Sequence, residues 1–384
     1  MMNYETLHAK YKVESVGGRY LNLEMIAPFL EMENIKYKWE IIGQSVENRP
    51  IYLGKFGHGK TKILMWSQMH GNESTTTKGL LDFLNFLQDD SDLSNVILNS
   101  YSFFIVPMLN PDGSERYTRT NANNVDLNRD FQTLTQPESQ LLMQSYKEFN
   151  PDFCYNLHDQ RTIFGVGSMG KPATISFLAP SFNEAKEYDE ARLRSVGVIM
   201  KMEQTLRHYI PGQIGRFDDA FNINCAGDTF QSLKTPTVLL EAGHFPNDYE
   251  REETRKFVFI ALLSAFYSSN ENDLVSSNLD EYLKIPQNMP NYFDFVYKNV
   301  TINYEDSNLI TNFAVQFREL LIDRKIYFNG FIAKVGGTEG FFGHVEKDCL
   351  EALYSDNERN IPLLDEKADF SIGNEIIFVK GLVK

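Results

Sequence analysis

Two textures of apolar and polar residues alternate along residues 1–270. Short runs rich in Val, Ile, Phe and Tyr occur at 50–56 (PIYLGKF), 62–68 (KILMWSQ), 102–107 (SFFIVP), 152–157 (DFCYNL), 174–179 (TISFLA) and 237–242 (TVLLEA). Several are apolar at consecutive positions, the pattern of strands covered on both faces. Between them, 75–88, 137–149, 184–207 and 249–267 carry apolar residues at helical spacing. The second of these opens with Pro137 and Glu138. A proline suits the first helical position, and an acid suits the positive end of the helix dipole. Strands alternating with helices predict an α/β fold, a three-layer α/β/α arrangement around a mixed, mostly parallel sheet.

The polar stretch 268–281 (SSNENDLVSSNLDE) breaks the rhythm and reads as a linker. From 285 onward, short strand-like runs alternate with Gly and Asn, with one helical run near 312–323. The predicted organisation is an α/β domain over 1–270 and a small β-rich accessory domain over 285–384.

Composition narrows the class. With 42% hydrophobic and 23% charged residues, the chain is of the soluble globular kind. A formal charge of −15 argues against a nucleic-acid or anionic-membrane surface. Cys154, Cys225 and Cys349 are too sparse and widely spaced for a disulfide framework or a structural zinc site. The first residues lack the apolar core of a secretory signal, and no run of 18 apolar residues occurs, which together predict a cytoplasmic protein.

Four polar blocks stand at the ends of the predicted strands, where α/β proteins place their sites. The first is His70-Gly71-Asn72-Glu73, an imidazole and a carboxylate three apart that can converge on one cation. Taken alone, such a pair is commonly no more than a surface histidine near a glutamate. The second is Asn110-Pro111-Asp112-Gly113, by itself an ordinary turn. Behind it lie Arg116, Arg119 and Arg129 among several asparagines, a composition suited to gripping a carboxylate. His158 closes the third, and Glu241 ends the fourth, where an unpaired buried acid would be costly.

Taken in this order, the blocks resemble the zinc carboxypeptidase (metallocarboxypeptidase) family. Its pattern runs HxxE, NPDG, an Arg, a VDxNRN-like run, a strand-end His and a strand-end Glu. Here these are His70/Glu73, Asn110–Gly113, Arg119, Asp126–Asp130, His158 and Glu241. The upstream run 42–51 (IGQSVENRPI) is similar to the family's GxSxxxRPI, so the resemblance covers roughly residues 35–267. It implies one zinc per chain on His70, Glu73 and His158, with Asp126 accepting a hydrogen bond from His70. It also implies that Asn128 and Arg129 hold the substrate carboxylate and that Arg119 stabilises the oxyanion. Glu241 would be the general base for zinc-activated water, in an enzyme removing C-terminal residues from peptides.

Two departures stand out. Asp130 replaces the asparagine that usually ends the run. The stretch 212–230 lacks the tyrosine many members place over the substrate, leaving Phe221 as the aromatic residue for that place. Asp228 is the acid nearest the position that, in relatives preferring basic side chains, reads the C-terminal residue, with Asp218 and Asp219 close by. His244 is read as structural rather than as a ligand, and the run after His158 (Asp159, Gln160, Arg161, Thr162) has no assigned partner. Three readings stand beside the peptidase: an amidase or deacylase of small acyl-amino acids, a D-glutamyl muropeptide peptidase, and a zinc-free binding module.

Overall fold

The computed structural model describes residues 2–31, 37–267, 279–304, 307–356 and 358–384. They group into two compact units, residues 1–160 with 173–288 and residues 161–172 with 289–384. The first unit begins with α1 (Tyr4–Tyr11), α2 (Leu23–Leu30), β1 (Tyr37–Gln44), β2 (Pro50–Phe56) and β3 (Thr61–Ser67). It continues through α3 (Thr75–Leu87), α4 (Asp92–Ser100), β4 (Tyr101–Val106), α5 (Pro111–Arg116), α6 (Pro137–Phe149) and β5 (Phe153–Asp159). The segment 161–172, with the two-residue β6 (Gly165–Val166), groups with the second unit. The first unit then resumes with β7 (Ile175–Leu178), α7 (Glu190–Leu206), β8 (Ile214–Arg216), α8 (Ala226–Ser232), β9 (Thr237–Ala242), α9 (Glu252–Phe266) and α10 (Leu279–Lys284).

Eight strands form one sheet in the order β1-β2-β4-β3-β5-β9-β7-β8. The central pairings β4–β3, β3–β5 and β5–β9 are parallel, as is β7–β8, whereas β1–β2, β2–β4 and β9–β7 are antiparallel. Alternation along each central strand sends side chains to two separate apolar cores. Ile63 and Met65 of β3, and Phe153, Tyr155 and Leu157 of β5, join a core shared with α3, α7 and α9. Leu64, Trp66 and Cys154 join a second core with Leu142 of α6 and Phe230 of α8. A sheet covered on both faces needs apolar residues at consecutive positions, which is why these strands read as unbroken apolar runs. Each fully buried side chain of this size contributes about 1.5–3 kcal/mol.

The second unit contains β10 (Asn288–Met289) at its boundary, then β11 (Tyr292–Tyr304), β12 (Ser307–Ile322), β13 (Lys325–Val335) and β14 (Phe342–Asp348). The last four form a sheet in the order β13-β12-β11-β14. A second sheet joins β15 (Tyr354–Ser355), β16 (Phe370–Ile372), β17 (Glu375–Val379) and β18 (Leu382–Val383) in sequence order. The helix expected near 312–323 is instead part of β12. Phe313 and Val315 alternate into the unit's apolar core, and β12 is hydrogen-bonded to β11 on one side and β13 on the other. That ladder overrides the helix-favouring Arg318-Glu319-Leu320-Leu321. The linker read at 268–281 lies outside the described residues over 268–278, and its last three residues open α10. No helix among the described residues is long and apolar enough to cross a membrane.

Candidate metal centre

Beyond β3, the chain turns so that the Glu73 N–H donates to the His70 carbonyl at 3.1 Å. Gly71 sits in this turn because the Gly113 and Ser114 backbone presses against it: a Cβ there would lie 1.9 Å from the Gly113 carbonyl carbon. The first and second polar blocks are therefore packed backbone to backbone. Asn110 Oδ1 caps α5 through the Gly113 N–H (2.8 Å), and Asn110 Nδ2 donates to the Met69 carbonyl (3.1 Å). Asp112 accepts from Ser45 Oγ (2.7 Å), the Glu47 N–H (3.0 Å) and Arg49 Nη1 (2.6 Å), which locks the upstream run 42–51 onto the same corner. Residues that looked like a plain turn in sequence serve here as a clasp.

His158 comes from the end of β5, and three side chains meet. His70 Nδ1 lies 2.8 Å from Glu73 Oε1, His158 Nδ1 lies 2.8 Å from Glu73 Oε2, and the two Nδ1 atoms are 3.2 Å apart. All three residues are buried. On its other side, His70 Nε2 is 3.0 Å from Asp126 Oδ1, a pure acceptor, which places a ring proton on Nε2. Each imidazole thus turns a nitrogen toward the Glu73 carboxylate and toward the other ring. His158 Nε2 is also buried without a hydrogen-bond partner. Among the described residues, this is the group of His, Cys, Asp and Glu whose ligand atoms fall together, all within 4.8 Å. Two imidazoles and a carboxylate are a donor set that fits zinc, with a coordination position left open.

The charges follow from this packing. Burial opposes a proton on His70, but the Glu73 and Asp126 carboxylates on its two sides prevail and push its pKa up. His158, with Glu73 as its one carboxylate neighbour, is pushed down by burial. Glu73 is held below the usual carboxylate range by the two imidazoles, against the pull of burial.

Arg119, half exposed, places Nε 3.0 Å from Asp126 Oδ2 and Nη1 3.3 Å from Glu73 Oε1, so its guanidinium borders the triad. Asp126 also accepts the Asn128 N–H (2.9 Å) and opens a 3-10 turn over Leu127–Arg129. Asn128 Oδ1 accepts the Ala226 N–H at the start of α8 (2.9 Å), and Arg129 Nη1 lies 3.1 Å from Cys225 Sγ. Burial pushes the Cys225 thiol up to about 11, so the guanidinium faces a neutral thiol. Asp130 accepts the Thr135 N–H (2.9 Å) and the Gln136 N–H (2.9 Å), so its carboxylate braces the turn into α6.

Glu241 on β9 is paired in register with His158 on β5 and is buried. Burial, with the Glu73 and Asp159 charges, drives its pKa well above the ordinary value, against Arg119 and Arg251. Asp228 is buried on α8 with Oδ2 on the Asn222 N–H (2.7 Å), and burial raises it to about 6. Asp219 is held by Arg192 (2.7 Å), while Asp218 is exposed. Phe221 lies between β8 and α8. His244 lies outside the three-residue group, its ring 4.7 Å from that of Tyr249.

Residues 28–156 match the family model described as zinc carboxypeptidase. Carboxypeptidase E of Caenorhabditis elegans is 38% identical over 117 residues, covering 24% of this chain and 25% of that protein. Carboxypeptidase D of Homo sapiens is 29% identical over 144 residues, covering 30% of this chain and 10% of that protein. The chain thus matches a quarter or less of the length of either relative. A metallo-carboxypeptidase structure from Burkholderia cenocepacia superposes with a TM-score of 0.52 at 19% identity, covering 64% of this chain and 68% of the other. One from Pseudomonas aeruginosa gives 0.50 at 18%, covering 69% and 70%. At such identities the structural likeness speaks for the fold. Residues 28–156 therefore match the zinc carboxypeptidase family, within a carboxypeptidase-like α/β fold.

Proposed function

We propose that this protein is a zinc-dependent peptidase that removes residues from the C-terminal ends of peptides. The observation that carries this reading is the meeting of His70 Nδ1, the Glu73 carboxylate and His158 Nδ1, bordered by Arg119 and beside the Glu241 strand. Zinc held by those three residues supplies a Lewis acid and brings the pKa of a water molecule to roughly 7. Asp126 fixes the His70 ring through Nε2 and keeps its Nδ1 aimed inward. Glu241 takes the proton of the attacking water at its carboxylate and hands it to the leaving nitrogen. Arg119 sets a fixed positive charge where the scissile carbonyl oxygen becomes negative, a contribution typically worth about 3–4 kcal/mol.

Asn128 and Arg129 bind the substrate's terminal carboxylate in this reading. They follow Asp126 by two and three residues, and Asp126 touches His70, so the carboxylate grip and the metal site share one short segment. Losing the Arg129 contact leaves a desolvated carboxylate unpaired, at about 2–5 kcal/mol. The test compares one peptide with a free C-terminus and the same peptide amidated, on wild type and on Arg129→Ala. Wild type should discriminate by roughly 30-fold or more in kcat/KM, and the variant should treat the two nearly alike. Equal cleavage of both by wild type, or cutting within the chain, replaces this reading with an endopeptidase or an amidase.

A further inference from the structure

The charged run after His158 acquires partners in the folded chain. Asp159 is buried at the last position of β5, and its carboxylate reaches the first turn of α3. Oδ2 accepts the Thr75 N–H at 2.7 Å, and Oδ1 accepts the Thr76 N–H at 3.0 Å and the Thr76 hydroxyl at 3.2 Å. The first N–H groups of a helix have no partner within it and require an outside acceptor. Ser74 holds the capping position of α3 but makes no side-chain cap; its hydroxyl donates instead to the Arg19 carbonyl at 2.6 Å. The cap is therefore supplied in trans, from the strand that carries His158 to the helix that begins two residues after Glu73.

A second bond completes the link. The Asp159 N–H donates to Glu73 Oε2 at 3.1 Å, the same oxygen that lies 2.8 Å from His158 Nδ1. Adjacent residues on a strand point to opposite faces. His158 thus points to the metal group while Asp159 points to α3, and Glu73 is held by both.

We infer that Asp159 is a positioning residue for the metal centre, setting the spacing of Glu73 and His158 by tying the start of α3 to the end of β5. This rests on reading His70, Glu73 and His158 as a zinc site. Without the carboxylate, the Glu73 segment would no longer be tied to β5 through the start of α3, and the two ligands would lose their common reference. Neighbours that orient metal ligands change metal affinity by roughly 10–100-fold when removed. A cap that serves stability alone would leave affinity unchanged.

The experiment measures zinc affinity of the full chain by competition with a chromogenic chelator, together with the melting temperature of the zinc-free protein. Asp159→Ala should weaken zinc about tenfold or more and broaden the visible absorption of the cobalt-substituted protein. Asp159→Asn retains one acceptor oxygen and should fall between wild type and Ala; it decides the matter if the Ala variant does not fold. His8→Ala removes a side chain whose Nε2 lies 3.1 Å from Asp82, seven residues beyond Thr75 in α3 and away from the capped first turn. It should lower the melting temperature and leave zinc affinity within about twofold, which separates loss of helix packing from loss of positioning. Wild-type affinity in both Asp159 variants, with only the melting temperature lowered, overturns the inference while the zinc site stands. A wild type that takes up no zinc overturns the zinc site and the inference with it.

Discussion

Two buried clusters of the first unit use nearly the same side chains and differ in what they leave open. Around Asp82, His8 Nε2 (3.1 Å) and Arg255 Nε (2.7 Å) meet Oδ2, and the Val13 N–H (2.8 Å) and Arg255 Nη2 (2.6 Å) meet Oδ1. Arg255 also donates to the Val13 and Val16 carbonyls, at 2.9 and 2.7 Å. Every carboxylate oxygen there has two donors, and the cluster is complete in itself. Around Glu73, two imidazole nitrogens converge on one carboxylate and on each other, with their ligand atoms gathered within 4.8 Å. Histidine, acid and arginine in a buried setting are thus not evidence of a site. The gathering of ligand atoms is, and the Glu73 cluster presents the donor set of a cation site.

The contrast can be broken at several points. The largest effect is expected at the ligands: His70→Ala and His158→Ala should each drop zinc well below one per chain in elemental analysis, and turnover should vanish. Full occupancy in both variants would erase the distinction between the clusters. Next comes Glu241→Gln, which keeps shape and zinc but cannot shuttle a proton. Steady-state kinetics should show kcat down by about 10²–10⁴ with KM little changed, and more than about a tenth of wild-type kcat would make Glu241 a bystander.

Asp82→Asn tests the closed cluster. Removing one partner of a buried pair costs about 3–5 kcal/mol, to be read from urea unfolding of the zinc-free protein, while zinc stoichiometry stays at one. Lost stoichiometry in a folded Asp82→Asn protein would show that the two clusters are not independent.

The smallest effect lies at the border of the closed cluster. Glu252 is partly buried, which would raise its pKa, but Lys78 Nζ at 2.7 Å and Arg255 Nη1 at 3.1 Å bring it to about 2. A folded value below the unfolded one of roughly 4.3 means this carboxylate stabilises the fold above that pH. Its contribution declines as pH falls from about 4.3 toward 2. Glu252→Gln should flatten the acid limb of the stability–pH curve in that window, and an unchanged limb would remove Glu252 from the acid response.

How much of this was legible in the sequence depended on the range of the interactions. The central strands were readable because burial on both faces leaves unbroken apolar runs, as at 62–68 and 152–157. The gathering of His70, Glu73 and His158 was expected only through the resemblance of the ordered strand-end blocks to a family pattern, because the His70/Glu73 pair alone is an ordinary one. β12 was misread because Arg318-Glu319-Leu320-Leu321 favours a helix locally, while the ladder that makes it a strand comes from β11 and β13. Asp159 had no visible partner because the Thr75 and Thr76 N–H groups it caps are 84 and 83 residues away. The short helices α1, α2 and α4 escaped because eight or nine residues carry too little periodicity to stand out.

The place of β5 between β3 and β9 also makes the metal a reporter of folding order. Glu73 and His158 are 85 residues apart, and they meet only when β5 has paired with β3. Local helices form in about a microsecond, whereas parallel pairing across such a separation must first bear the loop-closure entropy and is slow. Zinc capture during refolding should therefore lag the return of helical circular dichroism, and a chain ending before residue 153 should recover helix without ever competing with a chelator. Capture that keeps pace with the helical signal would mean that the ligands gather before the sheet does.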